Sequence, residues 1–121
     1  MTAIPYLLHN PRCSKSRAAL ALLQERGVAV REVRYLDAAP TASEIEALLH
    51  RLGFADPRAL MRSGEALYAE LGLDDPTLDR TALVEAMARH PRLIERPVFV
   101  RGERAVVGRP PERVLELLGE T

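Results

Sequence analysis

One cysteine, Cys13, is all the sulfur nucleophile that this chain of 121 residues contains. A lone thiol excludes an internal disulfide and any cysteine-rich metal site. Net charge is missing as well: 17 Lys+Arg balance 17 Asp+Glu. No global field therefore draws the chain towards nucleic acid or an acidic membrane, and only a local cluster of charge could do so. No stretch approaches the ~18 apolar residues of a membrane span. The first residues lack a basic n-region, and their apolar run is too short for a signal peptide. With a solitary thiol, this points to the reducing cytoplasm. Neither a Gly-rich phosphate loop nor a dinucleotide fingerprint is present. His9, His50, His90 and Cys13 are too scattered for metal-ligand spacing. Internal repeats, low-complexity tracts and linkers are also missing. The expectation is no bound cofactor, no metal, no nucleic-acid partner and no membrane partner.

What is present suits one folded domain over residues 1–121: 47% hydrophobic and 28% charged residues, in a length within the usual ~100–150. Folding such a chain buries roughly two-thirds of its extended surface, enough for a core without staples. Ile4–Leu8 is a short apolar run closed by Asn10-Pro11 and reads as a buried strand, with Pro5 at its start. Ser14–Arg26 turns helical, with Ala19, Leu20 and Leu23 on one face and Gly27 past the end. Val28–Tyr35 reads as a second strand. Its alternation slips phase between Val30 and Val33, through a bulge or a late strand start. Together these make a right-handed parallel βαβ unit.

A helical stretch follows, roughly residues 41–90. Thr41-Ala42-Ser43-Glu44 is a capping box, and Ile45, Leu48, Leu49 and Leu52 recur at helical spacing before Gly53. Asp56-Pro57 opens a short turn of helix through Arg62, Glu65–Leu71 another, and Asp79 caps a helix over Arg80–Arg89. Period two then returns: Val98–Val100 and Ala105–Val107 flank a turn at Arg101–Glu103, a hairpin. Pro110-Pro111 opens a last helix with Val114, Leu115 and Leu118 facing inwards. The order β-α-β, helices, β-β-α predicts an α/β layer structure with a mixed sheet.

Chemistry concentrates at His9-Asn10-Pro11-Arg12-Cys13-Ser14-Lys15-Ser16-Arg17. Cys13 stands where a strand end becomes a helix. Unpaired backbone N–H groups and roughly half a positive charge from the helix dipole converge there. Both favour a thiolate, and the same geometry binds anions. Ser14 and Ser16 can donate hydroxyl hydrogen bonds. A buried, inert cysteine belongs among Leu and Val rather than Pro, Arg, Ser and Lys, so the thiol reads as reactive. An imidazolium at His9 would further stabilise the anion. Arg62, Arg96 and Arg109 each stand beside structural punctuation, although singly each reads as a solvated side chain. Because X-Pro bonds are cis only ~5–6% of the time, sequence alone assigns Arg96-Pro97 as trans.

The segment Tyr6–Arg17 resembles the active-site region of glutaredoxin-coupled arsenate reductases. The similarity continues through Tyr35-Leu36, Pro40, Arg58–Arg62, Tyr68–Leu73, Pro91–Val100 and Gly108–Pro111, in family order and spacing. The resemblance implies a thioredoxin-like fold: a mixed central sheet flanked by helices, with the helical stretch inserted between the βαβ and ββα halves. It implies Cys13 as nucleophile and Arg62, Arg96 and Arg109 as oxyanion-binding arginines. Ser16 and His9 would support the thiolate, and Pro97 would be a cis-proline. It implies arsenate as substrate, glutathione as co-substrate rather than bound cofactor, glutaredoxin as partner and a monomer acting in arsenic detoxification.

Two other readings fit parts of the chain. Cys13-Ser14-Lys15-Ser16 is a Cys-x-x-Ser string, as in glutathione-dependent thiol proteins of monothiol-glutaredoxin type. An Spx-like regulator that binds RNA polymerase shares the fold, but such regulators commonly carry Cys where Ser16 stands. A family member without arsenate turnover is the plainest alternative.

Overall fold

The computed structural model describes residues 4–118. Four strands form one sheet in the order β2-β1-β3-β4: β1 Tyr6–Leu8, β2 Arg31–Val33, β3 Val98–Arg101 and β4 Arg104–Val107. β1 runs parallel to β2 and antiparallel to β3, which pairs antiparallel with β4. The helices are α1 Ser14–Glu25, α2 Ala42–Leu52, α3 Ala66–Glu70 and α4 Arg80–Arg89. Tighter 3₁₀ segments cover Pro57–Leu60, Pro91–Leu93 and Pro111–Leu117. This is the thioredoxin-like arrangement, a βαβ half and a ββα half sharing one mixed sheet.

The chain divides into two compact units. A sheet unit comprises the residues up to Ala38 and those from Arg96 onward; a helical unit is Ala39–Glu95. In the sheet unit, Leu7, Phe99 and Val106 stand in register across β1, β3 and β4. That row packs with Ala19 and Leu23 of α1 and with Val114 and Leu117 of the last 3₁₀ segment. Leu8, Val98 and Val100, which alternate with that row, are buried too. In the helical unit, Ile45, Leu48 and Leu49 of α2 and Leu83, Val84 and Met87 of α4 are buried. Arg80 and Glu46 pair at 2.8 Å. Each cap does what its residue type allows. Thr41 and Glu44 form a reciprocal capping box, Gly53 closes α2 at φ 74°, and Asp79 accepts the Ala82 N–H.

Several boundaries differ from the sequence expectation. β1 begins at Tyr6 rather than Ile4, and α1 ends at Glu25. The phase slip is a late strand start: Val28 and Val30 pack against the core before β2 begins at Arg31. The turn opened by Asp56 stops at Leu60, because Met61 bridges to Ile94 in extended backbone. The last segment is 3₁₀ rather than α, so Leu117 joins Val114 in the buried core while Leu115 and Leu118 are only partly buried.

Candidate active site around Cys13

Sheet topology sets the site. The C-terminal ends of β1 and β4 and the N-terminal start of β3 meet at one edge, since Leu8 pairs with Val98 and Val98 with Val107. Residues just beyond those ends must therefore converge: the Cys13 loop after β1, Arg96 before β3, and Arg109 after β4. Arg109 donates from Nη1 to the Arg96 carbonyl at 3.0 Å. The Gly108 N–H donates to the Pro97 carbonyl at 2.8 Å. Glycine is required at 108 by space: a Cβ there would stand 2.9 Å from Pro97 Cγ and 3.0 Å from Val114 Cγ1. The Arg96–Pro97 and Arg109–Pro110 peptide bonds are both cis.

Asn10 shapes the turn into α1. Its Oδ1 accepts the Arg12 N–H at 3.0 Å and its carbonyl accepts the Cys13 N–H at 2.9 Å, an Asx turn. Cys13 takes the N-cap position in extended backbone (φ −95°, ψ 123°), and its carbonyl accepts the Arg17 N–H at 3.0 Å. The half-buried thiol makes no cap hydrogen bond of ordinary geometry, and no acidic residue sits in the first turn of α1. Its pKa is nevertheless lowered. Burial acts first and pushes it up, but this is outweighed by the Ser16 N–H, the Arg96 charge, the Lys15 N–H and a hydrogen bond from the Arg109 side chain. Two amides at a helix start and two guanidiniums thus favour the anion.

His9 and Ser16, both expected to support the thiolate, lie together beside the Cys13 loop. Burial, the largest influence on His9, lowers its pKa; Arg34 and Arg17 act in the same direction and Glu32 against it. Burial thus disfavours the imidazolium form of the ring. Its Nδ1 lies 2.7 Å from Ser16 Oγ, which also accepts the Asn10 N–H at 3.1 Å. Ser16 is fully buried, and it supports the thiolate through its backbone N–H while its hydroxyl ties His9 to the loop.

Arg62 belongs to the helical unit. Its N–H donates to the Leu93 carbonyl at 2.7 Å beside the Met61–Ile94 bridge. Its Nη1 reaches Glu65 Oε2 at 3.1 Å and the Arg92 carbonyl at 3.3 Å. Glu65 also pairs with Arg92 Nε at 3.4 Å. Sequence reasoning missed this carboxylate and gave Asn10 and Gly108 no role in the site, whereas the amides at the start of α1 are the ones it expects there. Asn before Pro was the one usable signal, marking a turn. Among the described residues no group of three or more His, Cys, Asp or Glu is gathered to hold a metal, and no helix is long and apolar enough to cross a membrane.

Residues 8–117 match the sequence profile of the ArsC family. This chain belongs to the ArsC family. An arsenate reductase of Neisseria meningitidis serogroup A is 52% identical over 112 residues, covering 93% of this chain and 96% of that protein. The uncharacterized protein YfgD of Escherichia coli K12 is 48% identical over 119 residues, 98% of this chain and all of that one. A solved arsenate reductase structure from Vibrio cholerae superposes with TM-score 0.91 at 49% identity, covering 93% of this chain and 95% of that one. Within this ArsC-family chain, Cys13, Arg96 and Arg109 are the chemically capable residues that the sheet unit brings together.

Proposed function

We propose that the chain is an arsenate reductase of the glutaredoxin-coupled type, with Cys13 as nucleophile. The observation that carries this reading is the Cys13 sulfur at an uncapped helix start, favoured as thiolate by two amides, Arg96 and Arg109. Each of these groups also suits a tetrahedral oxyanion. The thiolate attacks As(V). An S–As bond forms as one As–O bond breaks, and the oxygen leaves as hydroxide that takes a proton to become water. Arg96 and Arg109 offset the anion's charge during the displacement. Arg62, the third family position, is assigned to the anion by resemblance, and Arg62→Ala tests it.

The chain has one cysteine, so the second thiol comes from outside. A glutathione thiolate attacks the Cys13 sulfur. The S–S bond forms, the S–As bond breaks, and arsenic departs with that electron pair as As(III), arsenite. Two thiols are thereby oxidised to one disulfide while As(V) takes two electrons. Glutaredoxin then takes glutathione from the mixed disulfide and restores the Cys13 thiolate. This cycle belongs in a reducing compartment, the cytoplasm, and serves arsenic detoxification. Purified protein supplied with arsenate, glutathione and active glutaredoxin is expected to release arsenite, with no release when either thiol component is omitted. No arsenite above background in the complete mixture overturns the assignment.

A further inference from the structure

Beside the Cys13 loop lies a cleft of about 300 Å³ whose chemistry the anion site does not use. Its walls are Pro11 and Arg12 from the loop after β1, and Arg34, Leu36 and Asp37 from the turn after β2, with buried His9 between them. The parallel register of Leu8 with Val33 explains the meeting, since both loops leave the same edge of the sheet. The turn is fixed by the Asp37 and Ala38 N–H groups, which donate to the Arg34 carbonyl at 3.0 and 3.2 Å. Leu36 is 43% exposed and offers an apolar surface at the rim. Among the described residues, Arg12, Arg34 and Asp37 form no ion pair. The cleft therefore presents two cations, one anion and an apolar contact, and one of its cations, Arg12, directly precedes Cys13 in the chain.

We propose that this cleft seats the external thiol as a small zwitterionic peptide of glutathione's type, its two carboxylates on Arg12 and Arg34 and its ammonium on Asp37. Guanidinium–carboxylate pairs are the strong, directional contacts available to such a ligand, and Leu36 covers its apolar stem. The assignment deepens the reading of the chain as a glutathione-dependent reductase and rests on it for its biological meaning. Its test does not require arsenate.

The Cys13 thiolate attacks oxidised glutathione to give the Cys13–glutathione disulfide and one released glutathione thiolate, and it attacks hydroxyethyl disulfide in the same way. The second reagent carries no charge, so it reports intrinsic thiol reactivity. In the doubly substituted Arg12→Ala/Arg34→Ala protein, the rate with oxidised glutathione is expected to fall about tenfold from loss of charge-assisted contacts. The rate with hydroxyethyl disulfide should stay within about twofold. Asp37→Asn should lower the first rate alone. Loss in equal proportion with both reagents, or no loss with either, overturns the proposal. If oxidised glutathione shows the selective loss while arsenate is not reduced by the unaltered protein, the cleft stands and the reductase reading falls. If arsenate is reduced and no selectivity appears, the reverse holds.

Discussion

Helices α1 and α2 are of similar length, 12 and 11 residues, yet they begin in opposite ways. At α2 every available device closes the N-terminus: Thr41 Oγ1 accepts the Glu44 N–H, Glu44 returns a bond to the Thr41 N–H, and the carboxylate complements the dipole. At α1 the corresponding positions hold Cys13 and Ser16. The thiol is a poor cap, the Ser16 hydroxyl contacts His9 and Asn10, and the Ser16 and Lys15 N–H groups act on the sulfur. In the helical unit the two long helices, α2 and α4, have starts closed by side-chain oxygens of Thr41 and Asp79. The sheet unit leaves one start uncapped and surrounds it with arginine. On the proposed reading, local stability is given up at α1 for reactivity.

The largest expected effect comes from making α1 resemble α2. Cys13→Ser supplies a competent cap oxygen while removing the nucleophile. Arsenite formation should drop to background, and urea unfolding should show equal or greater stability, by roughly 0.5–1 kcal/mol. Retained turnover would take Cys13 out of the mechanism. Next, Arg96→Ala and Arg109→Ala should each lower kcat/KM for arsenate by about tenfold or more through loss of a charge-assisted contact. Exposed Arg113, paired only with its neighbour Glu116 on the same segment, gives the control, and an equal loss in Arg113→Ala contradicts the anion site.

A third change acts through packing. Gly108→Ala drives a methyl into the Pro97 ring and Val114. Destabilisation of about 1–3 kcal/mol is expected in denaturant titration, as for other overpacked sites. The smallest effect belongs to the closed helix. Thr41→Ala should cost about 1 kcal/mol of stability and leave the alkylation rate of Cys13 unchanged. A change in that rate would show that the two helix starts are not independent.

How much of this could be read from residues alone follows from the range of each interaction. Thr41-Glu44, Gly53, Asp79 and the Val98–Val107 hairpin are local patterns, and each forms where its residues stand. Cys13 at a strand-to-helix junction was legible for the same reason. What failed depended on burial. Val28 and Val30 are apolar enough to look like strand, yet they serve the core as loop residues. His9 is a plausible cation in a sequence, but in the folded chain its burial disfavours that charge. The contact of the Ser16 hydroxyl with His9, seven residues away in the chain, has no local pattern that announces it. Glu65, which holds Arg62 and Arg92 together, has no sequence signature beyond its spacing from Arg62.

The central claim is that the uncapped start of α1, with Arg96 and Arg109, makes Cys13 a thiolate at lower pH than an ordinary cysteine. The most direct measurement is the rate of Cys13 alkylation by iodoacetamide against pH, in the unaltered protein and in Arg96→Ala and Arg109→Ala. Stabilising the anion lowers the pKa, so the reactivity plateau of the unaltered protein should be reached at lower pH than for a free thiol of ~8.5. Each substitution should move it back up. An unshifted titration in the unaltered protein, or identical curves for all three, would contradict the account.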